Sequence, residues 1–316
     1  MDERIAQNAG RQAERRSATP SAGWSFLGGL TFKQLAARMW HEASADNASG
    51  HAAELAFYFL LAFFPLLIFL LSVLGFWPEA QQLLVKYLAQ AMPPEATELM
   101  RSWVKNVASQ SSGGLLSFSL LASLWAASSG LSALMGVLNV AYEVEEGRPW
   151  WKARLVAIGL VLALTVFVLG GALLIIFGDK LAAWLAGWFG LGAVFTTVWP
   201  YVDYLIGLVL LTFGIGVIYY YAPNVDLSWR WLTPGAIFAV VMAVLASLLF
   251  SLYLNYGPGY SATYGSLGAV VVLMLWLYLL SLAIFMGGEI NSEVERAAGR
   301  PIRQKENHSQ RDEQTT

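Results

Sequence analysis

The sequence predicts an all-α protein, a polytopic transmembrane helical bundle of six spans. Composition is the first reason: 57% of the 316 residues are hydrophobic and only 13% are charged, where a soluble domain carries about 25% charge. The second is a set of six apolar runs, near 53–76, 115–140, 153–177, 201–222, 232–256 and 265–288. The last run sets the type. From Leu267 to Met286 it holds 20 residues without a charge, and at about 1.5 Å per residue roughly 20 apolar residues cross the hydrocarbon layer as a helix. It opens on Tyr264-Gly265-Ser266-Leu267-Gly268 and closes on Gly287-Gly288-Glu289-Ile290-Asn291, with small residues at one mouth and ionisable ones at the other.

In chain order, residues 1–30 read as a disordered arm. Its first 23 residues hold Arg4, Arg11, Arg15 and Arg16 and no apolar segment, which is not a signal-peptide pattern. The membrane domain runs over 31–296 and begins with an amphipathic helix at 31–44. Phe32, Leu35, Ala36, Met39 and Trp40 share one face there, with Lys33, Gln34, Arg38, His41 and Glu42 off it. That face suits either the headgroup layer or the bundle. The connection 77–114, split by Pro93-Pro94, reads as an external helical hairpin on the membrane surface. Its apolar positions are Leu84, Tyr87 and Leu88, then Leu99, Trp103 and Val107. Trp184, Trp188, Phe189 and Trp199 make 178–200 an interfacial aromatic belt. Residues 297–316 read as a disordered tail.

Basic residues set the orientation. Fifteen Lys and Arg fall on the side of the two termini and four on the other, namely Lys86, Arg101, Lys105 and Lys180. The positive-inside rule therefore places both termini in the cytoplasm, as an even number of spans requires.

The composition also excludes function classes. No cysteine is present, which removes disulfides, iron–sulfur clusters and thiolate zinc sites. The three histidines, His41, His51 and His308, have no second histidine at ligand spacing, so no metal or cofactor is expected. A net charge of −2 gives no attraction to nucleic acid.

Several stretches resemble, in order, the YihY/BrkB family of bacterial inner-membrane proteins. They are His51-Ala52-Ala53-Glu54-Leu55-Ala56-Phe57-Tyr58 leading to Phe63-Phe64-Pro65, and Leu124-Trp125-Ala126-Ala127-Ser128-Ser129-Gly130-Leu131 leading to Asn139, Tyr142-Glu143 and Arg148-Pro149-Trp150-Trp151. Tyr221-Ala222-Pro223-Asn224, Trp231-Leu232-Thr233-Pro234-Gly235-Ala236, Tyr264-Gly265-Ser266-Leu267-Gly268 and Gly288-Glu289-Ile290-Asn291 follow. The resemblance covers about residues 30–296 and implies a six-helix inner-membrane protein. It brings a legacy ribonuclease BN label, a virulence label and a description as a transporter linked to envelope lipid, but no established substrate.

The residues weigh against the nuclease. Such an enzyme needs a metal cluster or an acid–base pair beside a phosphate-binding groove. The one dense acidic patch, Glu143, Glu145 and Glu146, sits beside Arg148, Lys152 and Arg154 and reads as a solvated loop with local ion pairs. There is no phosphate loop and no nucleophile elbow. No enzymatic activity is expected.

Transport has more residues behind it. Pro65 lies inside the first span and frees the carbonyl of Leu61, while Ser128, Ser129 and Gly130 lie inside the second. Together they could hinge or line a cavity. Tyr264 and Gly265 stand at the outer mouth. The alternative for the serines is helix packing, since Ser129 with Ala133 and Ser132 with Gly136 form small-xxx-small pairs. Glu54, Tyr58, Asn139, Glu143, Glu289 and Asn291 gather at the inner ends of the spans, where His51, Glu54 and Tyr58 share one helix face. They are expected to form a polar vestibule, with Glu289 bonded across helices to Arg154, Asn139 or Tyr142; the alternative is ordinary interfacial charge. The expectation is a transporter or flippase-like protein for an amphipathic envelope molecule, with membrane lipid as its partner. A non-transporting envelope scaffold is the competing expectation.

Overall fold

The computed structural model describes residues 27–73, 78–108, 115–189, 192–227, 232–256, 266–300 and 302. Nine helices, and no strand, occur among the described residues: α1 Phe32–Ala45, α2 Ala48–Val73, α3 Pro78–Ala91, α4 Pro94–Ala108, α5 Leu115–Ala141, α6 Trp150–Phe189, α7 Gly192–Tyr221, α8 Pro234–Tyr256 and α9 Ser266–Ala297. Tyr264 and Gly265, most of the arm (1–26) and most of the tail lie outside the described residues.

Helix starts follow the capping chemistry of the sequence. Thr31 and Gln34 form a capping box at α1, where the Gln34 N–H donates to Thr31 Oγ1 and the Thr31 N–H donates to Gln34 Oε1. Proline opens α3, α4 and α8, at the position where its missing N–H has no helical partner to lose. Before α8, the Thr233 hydroxyl also accepts the N–H of Ala236.

Packing closes the long helices into a ring. α2 packs on α5, α5 on α6, α6 on α7, α7 on α8, α8 on α9 and α9 on α2, and α9 also meets α5 across the ring. Leu55, Leu134, Leu138, Val161, Tyr219, Ala236, Ala239 and Phe285 fill the interior. The outward faces carry exposed Leu61, Leu155, Val166, Leu205, Leu248, Leu249 and Leu252. Large apolar side chains facing out along every long helix are what a lipid solvent accepts and water does not.

Among the described residues, five helices are long and apolar enough to cross a membrane: Ala48–Leu71, Leu120–Ala141, Trp150–Gly171, Pro234–Leu254 and Gly268–Ala297. The remaining expected span falls on α7, whose apolar run Leu205–Tyr221 is shorter.

Two expectations change in detail. The aromatic segment 178–200, expected as an interfacial belt outside the spans, is helical wherever it is described, with α7 beginning at Gly192. α6 continues through it to Phe189 over 40 residues, about 60 Å of helix against a hydrocarbon core of about 30 Å. No proline interrupts Trp150–Phe189, so nothing stops the helix at residue 177. The second change concerns α3 and α4, which occupy the place expected for the hairpin. α4 does not lie only on the surface: Ala96 and Met100, with Met92 in the link just before the helix, are buried with Val272, Leu273 and Trp276 of α9 and Leu67 of α2. That stripe was overlooked in favour of Leu99, Trp103 and Val107.

Of the two roles open to α1, packing on the bundle is the one its contacts show. Leu35 packs on Ile290 and Val294 of α9, with Leu27 and Leu30 of the preceding turn beside it, while Phe32 and Trp40 point outward. Leu27–Leu30, at the inner edge of the expected arm, is therefore a packed turn.

Candidate functional site

The polar end of the bundle is where α5 ends and α6 begins, and two arrangements meet there. The first is a groove of about 560 Å³ over α5, between α2 and α6, lined by His51, Glu54, Tyr58, Ser129, Ser132 and Arg154 with Ala133, Gly136, Val137 and Val140. Helix period explains the lining. His51, Glu54 and Tyr58 stack along one face of α2, and Ser129, Ser132, Ala133 and Gly136 along one face of α5.

Arg154, one turn into α6, dominates the groove. Its Nη2 donates to the carbonyl of Trp125 (2.7 Å) and to Ser129 Oγ (3.1 Å), and its Nη1 lies 3.4 Å from Ser132 Oγ. The guanidinium also stacks over the Trp125 ring at 4.2 Å. All these acceptors are neutral. Its buried Nε makes no hydrogen bond, and among the described residues Arg154 has no carboxylate within 4.0 Å. Glu54, with a side chain 53% exposed, lines the same groove; His51 Nδ1 stands 3.4 Å from its carboxylate, without hydrogen-bond geometry.

The second arrangement is a set of buried locks between helices. Asn139 Nδ2 donates to Glu146 Oε2 (3.0 Å), and Asn139 Oδ1 accepts the backbone N–H of Asn224 (2.7 Å). Arg148 grips both Glu146 oxygens (2.7 and 2.6 Å) and donates to the carbonyl of Ala222 (2.8 Å). Burial pushes the Glu146 carboxyl up, and the hydrogen bonds from Arg148 and Asn139 more than reverse this, leaving it below its usual value. On the other side of the ring, Asn291 Oδ1 accepts the N–H of Gly235 (2.9 Å) and its Nδ2 donates to Thr233 Oγ1 (3.1 Å). Tyr219 donates to the carbonyl of Ile284 (2.6 Å).

Glu289 is 2% exposed and faces neither Arg154 nor Asn139. Its carboxyl lies beside that of Asp46, in the link between α1 and α2, and its Oε1 makes no hydrogen bond. Burial, then the nearby Glu143 charge, raises Asp46 above its usual range. Glu143 is exposed and pairs with Arg296 at 2.6 Å, and Glu293 takes Arg38 and Arg296.

The groove therefore brings together Glu54, Tyr58 and Ser129 of the residues singled out in the sequence. Asn139, Asn291 and Glu289 are closed into interhelical contacts. Ser128 is fully buried and donates to the Trp125 carbonyl (2.7 Å) in its own helix. Gly130 packs α5 onto α2 at Ala62 and Phe59. Pro65 lies within α2, outside the groove lining. The small-residue face of α5 is a groove wall rather than a helix contact: a Cβ on Gly136 would meet open space. The role of Arg154 as the centre of the groove was missed. Its signal in the sequence is a lone arginine one turn inside an apolar helix.

A closed ring of long apolar helices with lipid-facing side chains defines a multi-pass helical membrane protein. The family described as virulence factor BrkB matches residues 39–313, and the chain belongs to this family. It is 38% identical over 241 residues to a Bacillus subtilis protein named YfkH and described as ribonuclease-like, covering 76% of this chain and 88% of that one. It is 27% identical over 274 residues to a UPF0761 membrane protein of Tolumonas auensis, covering 83% and 86%, and 23% identical over 265 residues to another of Pseudoalteromonas translucida, covering 78% and 81%. No solved structure matches.

Proposed function

We propose that the protein is a six-span, inner-membrane transporter or flippase-like protein that moves an amphipathic envelope molecule, a membrane lipid, with both termini in the cytoplasm. One observation carries the reading. The groove over α5 joins a cation, a carboxylate and hydroxyls to exposed apolar side chains such as Phe57, Leu61 and Leu155 on the adjoining helices. An amphipathic molecule offers the same two chemistries, a charged head and apolar chains. Polar groups on a bundle's lipid-facing side cost on the order of 2.5–3.5 kcal/mol for a central charge, so they mark function by default.

The reading involves no nuclease chemistry. Among the described residues no group of three or more His, Cys, Asp or Glu is placed to hold a metal ion. The ribonuclease-like name belongs to the Bacillus relative.

A non-transporting envelope scaffold is the second reading. It is favoured by the locks at Asn139, Asn291 and Tyr219, which tie the ring together where a vestibule was expected. Reconstitution separates the two. In liposomes carrying a trace of headgroup-labelled lipid, a membrane-impermeant reductant quenches the outer leaflet. The transporter reading expects quenching to proceed well beyond the outer-leaflet half. A plateau matching protein-free liposomes across the common phospholipid headgroups favours the scaffold.

A further inference from the structure

The groove over α5 carries charge of both signs, and the two signs lie at different heights. Gly130 of α5 sits against Tyr58, Phe59 and Ala62 of α2. The guanidinium of Arg154, bonded to Trp125, Ser129 and Ser132, is therefore level with Tyr58–Ala62. Glu54 lies one turn earlier on α2, about 6 Å nearer the polar end of the bundle. At the start of α6, Trp150, Trp151 and Lys152 are exposed. This is the aromatic and basic composition of a membrane interface, and it fixes Arg154 at the boundary between headgroups and acyl chains.

Arg154 has no countercharge within 4.0 Å among the described residues. Three of its five N–H donors go to a carbonyl and two hydroxyls, which leaves one on Nη1 and the buried Nε–H. A guanidinium at this depth is stabilised most by a phosphate, which accepts two parallel N–H bonds. The Ser129 hydroxyl stands beside it as a further donor, while that of Ser132 already donates to the Ser128 carbonyl (3.0 Å). A turn closer to water, the exposed Glu54 carboxylate offers an acceptor for a cation. A headgroup with phosphate near the chains and an ammonium beyond it matches that order.

Resting on the transport reading, we infer that the groove is a headgroup site for a zwitterionic aminophospholipid, with the phosphate on Arg154 and Ser129 and the ammonium on Glu54. An anionic lipid such as phosphatidylglycerol satisfies Arg154 but brings no cation to Glu54. A quaternary ammonium headgroup has no N–H to donate to Glu54.

Lipid retention by the full-length chain in non-ionic detergent, read by native mass spectrometry, tests this. The probes are dioleoyl phosphatidylethanolamine, phosphatidylglycerol, phosphatidylcholine and dioleoylglycerol, with soluble phosphoethanolamine as competitor. The wild type should prefer phosphatidylethanolamine over the other phospholipids and retain no dioleoylglycerol. R154Q should weaken both phosphatidylethanolamine and phosphatidylglycerol about tenfold or more. E54Q should abolish the preference for phosphatidylethanolamine and leave phosphatidylglycerol binding intact, which a merely structural role would not do. Equal retention of dioleoylglycerol, wild-type binding by R154Q, or a preserved preference in E54Q would overturn the proposal. So would displacement by phosphoethanolamine at the lipid's own concentration, which makes the ligand a soluble ester. If R154Q does not fold, the headgroup series on the wild type and E54Q decides. A wild type with this signature that moves no lipid refutes transport and keeps the site; lipid movement without the signature does the reverse.

Discussion

The side chain of Asn139 bridges two connections of the ring: its oxygen accepts the N–H of Asn224, 85 residues on, and its amide donates to Glu146 beside α6. Asn224 is fully buried, so its N–H has no water to turn to. Asn139→Ala should cost about 1–3 kcal/mol, the penalty of a buried donor left unsatisfied. Thermal unfolding in detergent measures it. Asn139→Asp keeps the acceptor but sets a second carboxylate against Glu146, and should unfold at a still lower temperature.

Glu146 makes the same lock sensitive to acid. Its carboxyl titrates below the ordinary 4.5 because the bonds from Arg148 and Asn139 overcome the effect of burial. A group held below its unfolded value contributes stability that is present above about pH 4.5 and lost as pH falls through the folded value. The unfolding temperature of the wild type should therefore drop between pH 5 and pH 3 more steeply than that of Glu146→Gln. Parallel curves would remove Glu146 from the lock.

Gly287 and Gly136 make a matched pair of opposite expectation. A Cβ at Gly287 would collide with the Tyr219 hydroxyl and the carbonyl of Gly235, where the α8 and α9 backbones touch. Gly287→Ala should cost about 1–3 kcal/mol as overpacking. Gly136 faces open groove. Gly136→Ala should leave the unfolding temperature unchanged or raise it slightly, since glycine is a poor helix former. Equal losses at both positions would contradict the open groove.

The architecture was largely legible because helix length and charge-free runs are local properties. The run Leu267–Met286 needed only neighbouring residues. What the sequence hid depends on partners far along the chain. Glu289 was set against Arg154 by depth along the membrane, but rotation about the helix axis turns it to Asp46 instead. Depth is readable from residue number; azimuth comes from packing. For the same reason Ser129, Ser132 and Gly136 read as a packing surface, although small residues suit a groove wall equally well. The burial of α4 escaped notice because its stripe is built from Ala96 and Met100, with Met92 just before the helix, among weaker apolar signals than Trp103 and Leu99.

The absence of cysteine gives a direct test of topology. Single cysteines at Ser112 and Ser309 should differ in intact cells. Ser112→Cys should react with an impermeant maleimide added outside, and Ser309→Cys only after the membrane is permeabilised. Labelling of both from the same side would end the six-span reading.

The central claim is that lipid uses the groove over α5, and blocking that groove tests it most directly. In the otherwise cysteine-free chain, Gly136→Cys places a thiol in open space among Arg154, Ser132 and Glu54. Val166→Cys places one on the lipid-facing side of α6. Both proteins are reconstituted in liposomes with labelled phosphatidylethanolamine, before and after reaction with a bulky maleimide, and quenching beyond the outer leaflet is followed. The account predicts that alkylation at residue 136 reduces lipid movement to the protein-free level while alkylation at residue 166 leaves it unchanged. Undiminished movement with residue 136 fully alkylated would contradict it.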